Sequence, residues 1–169
     1  MRYMKRLLLT CLFFSIASCG YQFEGGGYIN KDVMRVAVKV LENNTSETGA
    51  DVIFTNALIR EILQKTDTKV VDEASATAII EGTIKSVTFA ALSRASAESV
   101  VERGISATMD LQMVNKDGEV IWSAINLSSN ESYTTSQDKA ADEGNKGTAL
   151  EKIAARSAER IVSRMLSNF

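Results

Sequence analysis

The sequence predicts an α+β fold in which two helices pack on one face of a mixed, mostly antiparallel sheet. Three observations lead to this prediction: strand-like alternation early in the chain, two segments of helical period, and a strong hairpin signal between two further strands. The 169 residues are 45% hydrophobic and 24% charged, which is typical of one soluble globular domain. We therefore expect a single domain.

The first half of the domain is predicted to contain a strand, a helix and a second, short strand. Residues 33–41 alternate in polarity, so Arg35 and Lys39 are expected on the face opposite to four apolar residues, which are Met34, Val36, Val38 and Val40. Residues 42–46 predict a turn. Residues 50–65 have helical spacing, with Phe54, Leu58 and Ile62 on one side. A short strand is expected at residues 69–71.

The middle of the chain predicts three longer strands. Residues 79–92 form a β-like run, and Gly82 within it indicates a bulge or a close approach of two backbones. Residues 104–114 and 119–127 are two strands joined by a turn, because Asp117-Gly118 supplies the left-handed conformation that a tight hairpin requires. The polar residues 134–147 predict a loop.

The last predicted element is an amphipathic helix over residues 147–166. Its apolar side is formed by Leu150, Ile153, Ala154, Ala158, Ile161, Val162 and Met165. Cations recur every four residues on the opposite side, at Lys152, Arg156, Arg160 and Arg164. This basic stripe is interpreted either as a solvated helix face, partly neutralised by Glu151 and Glu159, or as an anion-binding surface.

The N-terminal residues are typical of a bacterial targeting segment. A cationic start is followed by an apolar run of ten residues, Leu7 to Ile16, which is too short to cross a bilayer as a helix. The sequence Ile16-Ala17-Ser18-Cys19 resembles a lipobox, which predicts that residues 1–18 are a lipoprotein signal peptide and that Cys19 carries the lipid. The expected mature chain, residues 19–169, is a single domain with 16 basic and 21 acidic residues, a net charge of −5. Gly20 stands where Asp commonly retains lipoproteins at the inner membrane, which favours the outer membrane.

The residue inventory narrows the possible chemistry. The sequence has no histidine, and its two cysteines are Cys11, in the predicted signal peptide, and Cys19. Histidine-dependent triads and Cys/His zinc sites are therefore excluded, and we expect neither a cofactor nor a metal. The nearly balanced charge argues against a nucleic-acid partner.

Several short motifs together resemble a known family over nearly the whole expected mature chain. They are Cys19-Gly20-Tyr21-Gln22-Phe23, Glu42-Asn43-Asn44-Thr45, Phe54-Thr55-Asn56-Ala57-Leu58, Gly82, and Gly118-Glu119-Val120-Ile121-Trp122. This set resembles the LptE family of lipopolysaccharide-assembly lipoproteins. The resemblance implies a non-enzymatic protein, anchored to the outer membrane by acyl chains on Cys19 and facing the periplasm. Its implied partners are the β-barrel LptD, which such a protein supports and plugs, and lipopolysaccharide, which the pair delivers to the outer leaflet.

Five cations are candidates for contact with lipopolysaccharide or with a partner, because lysine and arginine pair well with phosphate oxygens. Three are predicted to point outward from the sheet, namely Arg35, Lys39 and Lys85, and two, Arg156 and Arg160, belong to the basic stripe. Trp122 and Tyr133 are aromatic residues near the hairpin. A position in the core is the favoured interpretation for Trp122, and the alternative for Trp122 and Tyr133 is that they anchor an interface with a partner.

Two other functions remain open at this point. The chain could be a lipoprotein that activates or scaffolds a cell-wall synthase, since an anchored α+β binding module would have similar sequence statistics. It could also be an enzyme that uses a carboxylate pair, such as a glycosidase. The scattered acidic residues form no paired motif, which disfavours the enzyme.

Overall fold

The computed structural model describes residues 27–96 and 100–167. The predicted signal peptide and Cys19 lie outside the described residues. Within them the chain forms six strands and two helices, in the order β1 (Arg35–Val38), β2 (Glu42–Asn43), α1 (Ala50–Lys65), β3 (Lys69–Val70), β4 (Ala78–Arg94), β5 (Val100–Asn115), β6 (Val120–Thr134) and α2 (Lys139–Ser167).

The strands form one mixed sheet in the order β3-β1-β4-β5-β6, and β2 pairs separately with β4. Strand β1 is parallel to both β3 and β4, whereas β4, β5 and β6 form an antiparallel meander. The Asn115–Gly118 turn between β5 and β6 is present, and Gly118 has the expected positive φ of 82°. The predicted α+β fold is therefore confirmed.

Both helices bury their apolar sides in a common core with the sheet. All seven residues predicted for the apolar side of α2 are buried, as are Phe54, Leu58 and Ile62 of α1. On β5, the alternate residues from Ile105 to Met113 face this core. Trp122 and Tyr133 are also buried, which confirms the core assignment of Trp122.

Helix α2 begins at Lys139, so the predicted loop over residues 134–147 is wrong for most of its length. Gly144 and Gly147 lower the helix propensity of this segment, but tertiary contacts outweigh that local preference. The Asp138 carboxylate caps the helix, accepting hydrogen bonds from the Ala140 and Ala141 N–H groups at 2.8 and 3.2 Å. Lys146 Nζ forms an ion pair with Glu47 Oε1 at 2.6 Å, which links the first turns of α2 to the segment that precedes α1.

Two strand predictions also need correction near the N-terminus. Strand β1 is shorter than residues 33–41, and Met34 and Val40, just beyond its ends, are exposed rather than on the buried face. Glu42 and Asn43 form β2 instead of a turn, because they pair with Thr83 and Ile84 of β4. Two polar residues are too few to show the alternation of apolar and polar side chains that predicts a strand.

Two of the bulges in the long strands lie on either side of β5, near Asp110. Lys85 is the extra residue of β4, between Ile84 and Ser86. The register between β5 and β6 also shifts, from Met109 opposite Leu127 to Leu111 opposite Ala124. Gly82 lies at a close approach, as predicted: a Cβ there would be 2.4 Å from the Asp110 carbonyl oxygen. Asp110 thus lies beside both of these bulges.

Candidate functional site

The face of the sheet opposite the helices presents polar side chains from β4, β5 and β6. Cross-strand hydrogen bonds connect them: Gln112 Nε2 donates to Glu81 Oε1 at 2.8 Å, and the Ser106 hydroxyl donates to Asn130 Oδ1 at 2.6 Å. These residues alternate along their strands with the buried core residues. We call this surface the open face.

A groove of about 440 Å³ crosses the open face. Its rims include two exposed aliphatic side chains, Val40 and Ile125. Polar side chains between them come from four strands or their flanks and comprise Lys39, Glu42, Glu81, Thr83, Asp110 and Gln112. With three carboxylates and one ammonium group on its lining, the groove itself is not an anion-attracting surface.

Lys39, one of the five candidate cations, is paired at this groove. Its Nζ lies 3.1 Å from Glu81 Oε2. The hydrogen bond to Glu81 raises the pKa of Lys39, while the hydrogen bonds from Gln112 and from Lys39 lower the pKa of Glu81. Both side chains are partly exposed, so the pair contributes little to stability.

Lys85 is a second candidate cation with an internal partner. Its Nζ lies 3.1 Å from Asp110 Oδ2 and donates to Asn126 Oδ1 at 2.7 Å. Asp110 Oδ1 also accepts the Asn126 main-chain N–H at 2.6 Å, and this hydrogen bond is the main cause of the lowered pKa of Asp110. Lys85 and Asn126 come from the two bulges, so this cluster joins the bulged strands through Asp110.

Arg156 and Arg160 extend from α2 to the outer strand of the sheet. Arg156 Nη1 donates to the Asn130 carbonyl at 3.0 Å, and Arg156 also pairs with Glu131 at 3.1 Å. Arg160 Nη1 donates to the Ser128 carbonyl. Both carbonyls belong to β6, an edge strand, whose unpaired backbone groups would otherwise be open to another chain. This part of the basic stripe therefore covers a sheet edge.

Arg35 differs from the other four candidates. It is exposed, and no carboxylate within the described ranges lies at ion-pair distance from it. Its neighbour in the parallel strand β3 is Lys69, a second cation that makes no ion pair with any described residue. Arg35 is remote in the sheet order from Arg156 and Arg160, which lie at β6, so the structure does not bring the five cations together.

Sequence reasoning missed the residues that hold the candidate cations, above all Glu81, Asp110 and Asn126. Glu81 and Asp110 lie in strands whose alternation of polarity predicts that their side chains face outward. Which cation each of them contacts depends on the register between the strands, which the sequence does not show.

Across the described part of the chain, no group of His, Cys, Asp or Glu residues is arranged to hold a metal ion. None of the helices described is both long enough and apolar enough to span a membrane.

Several solved bacterial lipoproteins share this fold. Lipoprotein B from Nitrosomonas europaea aligns with a TM-score of 0.56 at 16% identity, over 85% of this chain and 88% of that one. Rare lipoprotein B from Shewanella oneidensis aligns with a TM-score of 0.51 at 16% identity, over 76% and 94%. A minor lipoprotein from Acinetobacter baumannii gives 0.50 at 12% identity, over 80% and 92%. No curated protein matches the chain in a sequence comparison.

The architecture thus defines a small α+β domain of the kind found in bacterial lipoproteins, with one face covered by helices and the other polar and open. The LptE family model, described as lipopolysaccharide-assembly, matches residues 33–165. The chain belongs to the LptE family.

Proposed function

We propose that this protein is the lipid-anchored subunit that supports and plugs an LptD-type β-barrel in the outer membrane, so that lipopolysaccharide reaches the outer leaflet. Membership of the LptE family is the observation that carries this proposal. Cys19 is the proposed site of the acyl chains. They would hold the domain at the outer membrane, on the side of the membrane that faces the periplasm.

The open face supports a role inside a barrel. The lumen of an outer-membrane barrel is polar, because its strands alternate between lipid-facing apolar and lumen-facing polar residues. The open face carries hydroxyl, amide and carboxylate groups that are already paired with one another, as in Ser132 with Glu102 and Gln112 with Glu81. A surface of satisfied polar groups can pack against a polar lumen without leaving buried charges unpaired.

A direct contact with a lipopolysaccharide phosphate is proposed for Lys85, which is exposed and does not line the carboxylate-rich groove, whereas Lys39 does. The Lys85 ammonium group is held at the surface by Asp110, from which an approaching phosphate could take it over at small cost. Arg156 and Arg160 are assigned a different role, because moving either guanidinium would uncover a carbonyl of the edge strand β6. The chemistry proposed here is binding and support, with no catalytic step.

The anchor is tested by metabolic labelling with palmitate. The wild-type chain is expected to incorporate label and Cys19→Ala is expected to lose it, with the total protein level as the control. Equal labelling of the two would exclude Cys19 as the lipid attachment site.

The function is tested by depletion. Loss of the protein should lower the amount of correctly folded LptD-type barrel, seen as heat-modifiable gel mobility, and should reduce lipopolysaccharide at the cell surface. A secreted form without Cys19 should restore part of both, since an interface of standard size, about 1,200–2,000 Å², can hold a complex without the anchor. Normal barrel and lipopolysaccharide levels after depletion would refute this function. Recovery of a cell-wall synthase in a pull-down would then favour the alternative, a synthase activator or scaffold.

A further inference from the structure

We propose that the second half of β4 binds an extended segment of the β-barrel partner, which adds to the sheet as a further strand. This surface comprises residues 86–93, and we call it the free edge of β4. The inference rests on the proposed function, because the barrel is the proposed partner, and it adds the place and the mode of contact.

Only the first half of β4 has a neighbouring strand on both sides. The side away from β5 pairs with β1 as far as Ile80 and with β2 as far as Ile84, whose carbonyl accepts the Asn44 N–H at 3.0 Å. Strand β4 then continues to Arg94 beside β5 alone. Among the residues that the structure describes, no strand pairs with this side of β4 beyond Ile84, and no main-chain hydrogen bond is made there.

The bulge at Lys85 determines which main-chain groups of the free edge are unpaired. Before the bulge, Ile84 directs its carbonyl toward β2. The extra residue shifts the alternation by one, so Val87, Phe89 and Ala91 direct their N–H and C=O groups away from β5. Three donors and three acceptors therefore lie in a row, at the spacing that an added strand requires.

The free edge lacks the charges that usually prevent a sheet edge from pairing with other chains. Residues 86–93 contain no charged side chain, in a chain that is 24% charged. Their ladder with β5 is regular from residue 86 to residue 91. The edge strand β6 differs, because Arg156 and Arg160 of α2 bind its carbonyls. One long edge of the sheet is therefore covered by a helix, and the other is open to a partner.

The side chains of the free edge favour an uncharged segment as its partner. Thr88, Ala90 and Leu92 are exposed and present a hydroxyl group, a methyl group and an aliphatic chain. Lys85, at the beginning of the edge, is already paired with Asp110. An uncharged segment can therefore pair with the main chain here without leaving a charge buried and unpaired.

The proposed position inside a barrel supplies such a segment. In the proposed plug, the barrel chain surrounds the domain on all sides. The strands of a barrel wall are already paired with each other around the closed ring, so the segment would come from a loop or a terminus that enters the lumen. Addition of an extended segment to an exposed sheet edge is a common mode of recognition, in which main-chain hydrogen bonds supply affinity.

Hydrogen exchange tests whether the free edge is paired. The lipidated full chain is measured alone and in its detergent-purified complex with the LptD-type barrel, with single-amide resolution. The N–H groups of Val87, Phe89 and Ala91 should exchange on the order of 100-fold more slowly in the complex, because a hydrogen bond must open before exchange. The N–H groups of Thr88 and Ala90 face β5 and are internal references that should be protected in both samples.

The outcomes of this measurement separate the inference from the proposed function. A complex in which the three edge N–H groups exchange as fast as in the chain alone would overturn strand addition and leave the plug role intact. Failure to recover any complex with the barrel would refute the proposed function together with this partner. Slow exchange in the chain alone that increases with its concentration would instead assign the edge to a second copy of the chain.

A proline substitution tests one of these hydrogen bonds from the side of this chain. Ala91→Pro removes an N–H that faces away from β5, so the domain should keep its melting temperature. In competition with the wild-type chain for a limited amount of barrel, this variant should be recovered about fivefold less, since one hydrogen bond to the partner is lost. Ala91→Ser keeps the N–H and is the matched control, which should compete equally with the wild-type chain.

A further variant checks the register on which the proline test depends. Ala90→Pro removes an N–H from the ladder with β5 and should lower the melting temperature, whereas Ala91→Pro should not. The reverse order of melting temperatures would show that the wrong main-chain groups are assigned to the free edge. Equal recovery of Ala91→Pro and Ala91→Ser with the barrel would contradict strand addition.

Discussion

The Asp110 carboxylate holds the main-chain N–H of Asn126 at 2.6 Å, across the boundary between β5 and the bulge of β6. Asn126 has a φ of 53°, and within the described residues no other residue except glycine has a positive φ. Asparagine tolerates this left-handed conformation better than most residues. The hydrogen bond therefore stabilises the left-handed backbone conformation at the bulge of β6.

The first prediction concerns this bulge. Asn126→Gly should fold with nearly unchanged stability, because glycine adopts a positive φ without strain, although the hydrogen bond from Lys85 is lost. Asn126→Val should destabilise the domain by about 1–3 kcal/mol, since a β-branched residue is strained there. Urea denaturation of both variants measures the difference. Equal stability of the two would mean that β6 does not hold this conformation in solution.

Stability should fall in acid through the paired carboxylates. The pKa of Asp110 and of Glu81 is lowered in the folded protein, so each contributes stability that is present above its unfolded pKa and lost as the pH falls through its folded pKa. The pKa of Glu61 is raised, mainly by burial, which gives a trend of the opposite sign. With no histidine in the chain, the free energy of unfolding should be nearly constant between about pH 6 and 9.

This pH dependence can be measured by urea denaturation at a series of pH values from neutral to acid. Asp110→Asn should flatten the loss below about pH 5, because it removes one carboxylate whose folded and unfolded pKa values differ. An unchanged acid slope in Asp110→Asn would show that the Asn126 and Lys85 contacts do not lower its pKa.

Two glycine substitutions should have opposite effects. Gly82→Ala should destabilise the domain by about 1–3 kcal/mol, because its Cβ would overlap the Asp110 carbonyl oxygen of the neighbouring strand. Gly144→Ala should stabilise it by up to about 1 kcal/mol, since no described atom beyond the neighbouring residues and the backbone of the helix itself lies within 4 Å of the added Cβ, and alanine is the better helix former. Melting temperatures of the two variants check the signs. A stabilising Gly82→Ala would contradict the register of β4 and β5.

Opposite sides of α2 should also respond differently. Ile161→Asp should destabilise the domain by several kcal/mol, because Ile161 is buried in the core. Arg156→Ala should cost less than about 1 kcal/mol, as is usual for a largely exposed side chain.

A second measurement on α2 addresses the edge strand. The double variant Arg156→Ala with Arg160→Ala should fold but self-associate, because it leaves the Ser128 and Asn130 carbonyls of β6 without their arginine partners. Analytical ultracentrifugation at increasing concentration detects this association. Lys152→Ala with Arg164→Ala is the control from the same basic stripe, and association of the control alone would contradict the capping role.

The elements that sequence alone determined are those whose own periodicity is strong. The helix over residues 50–65 was predicted with its observed bounds, and the apolar side of α2 was predicted residue by residue. The Asp117-Gly118 turn required only local chemistry. These features depend on residues a few positions apart, where side-chain pattern and backbone preference act together.

Tertiary structure alone decided the features that depend on distant partners. The first turns of α2 form although they contain two glycines, because Lys146 binds Glu47 and Asp138 caps the helix. The two-residue strand β2 exists only beside β4. The same applies to the candidate cations. The sequence identified Lys39, Lys85, Arg156 and Arg160 as basic, but only the register of the sheet and the docking of α2 gave each a partner and left Arg35 without an ion-pair partner among the residues that the structure describes. Whether a surface charge is free depends on which residues the fold brings within about 4 Å, and that distance is not encoded in local sequence.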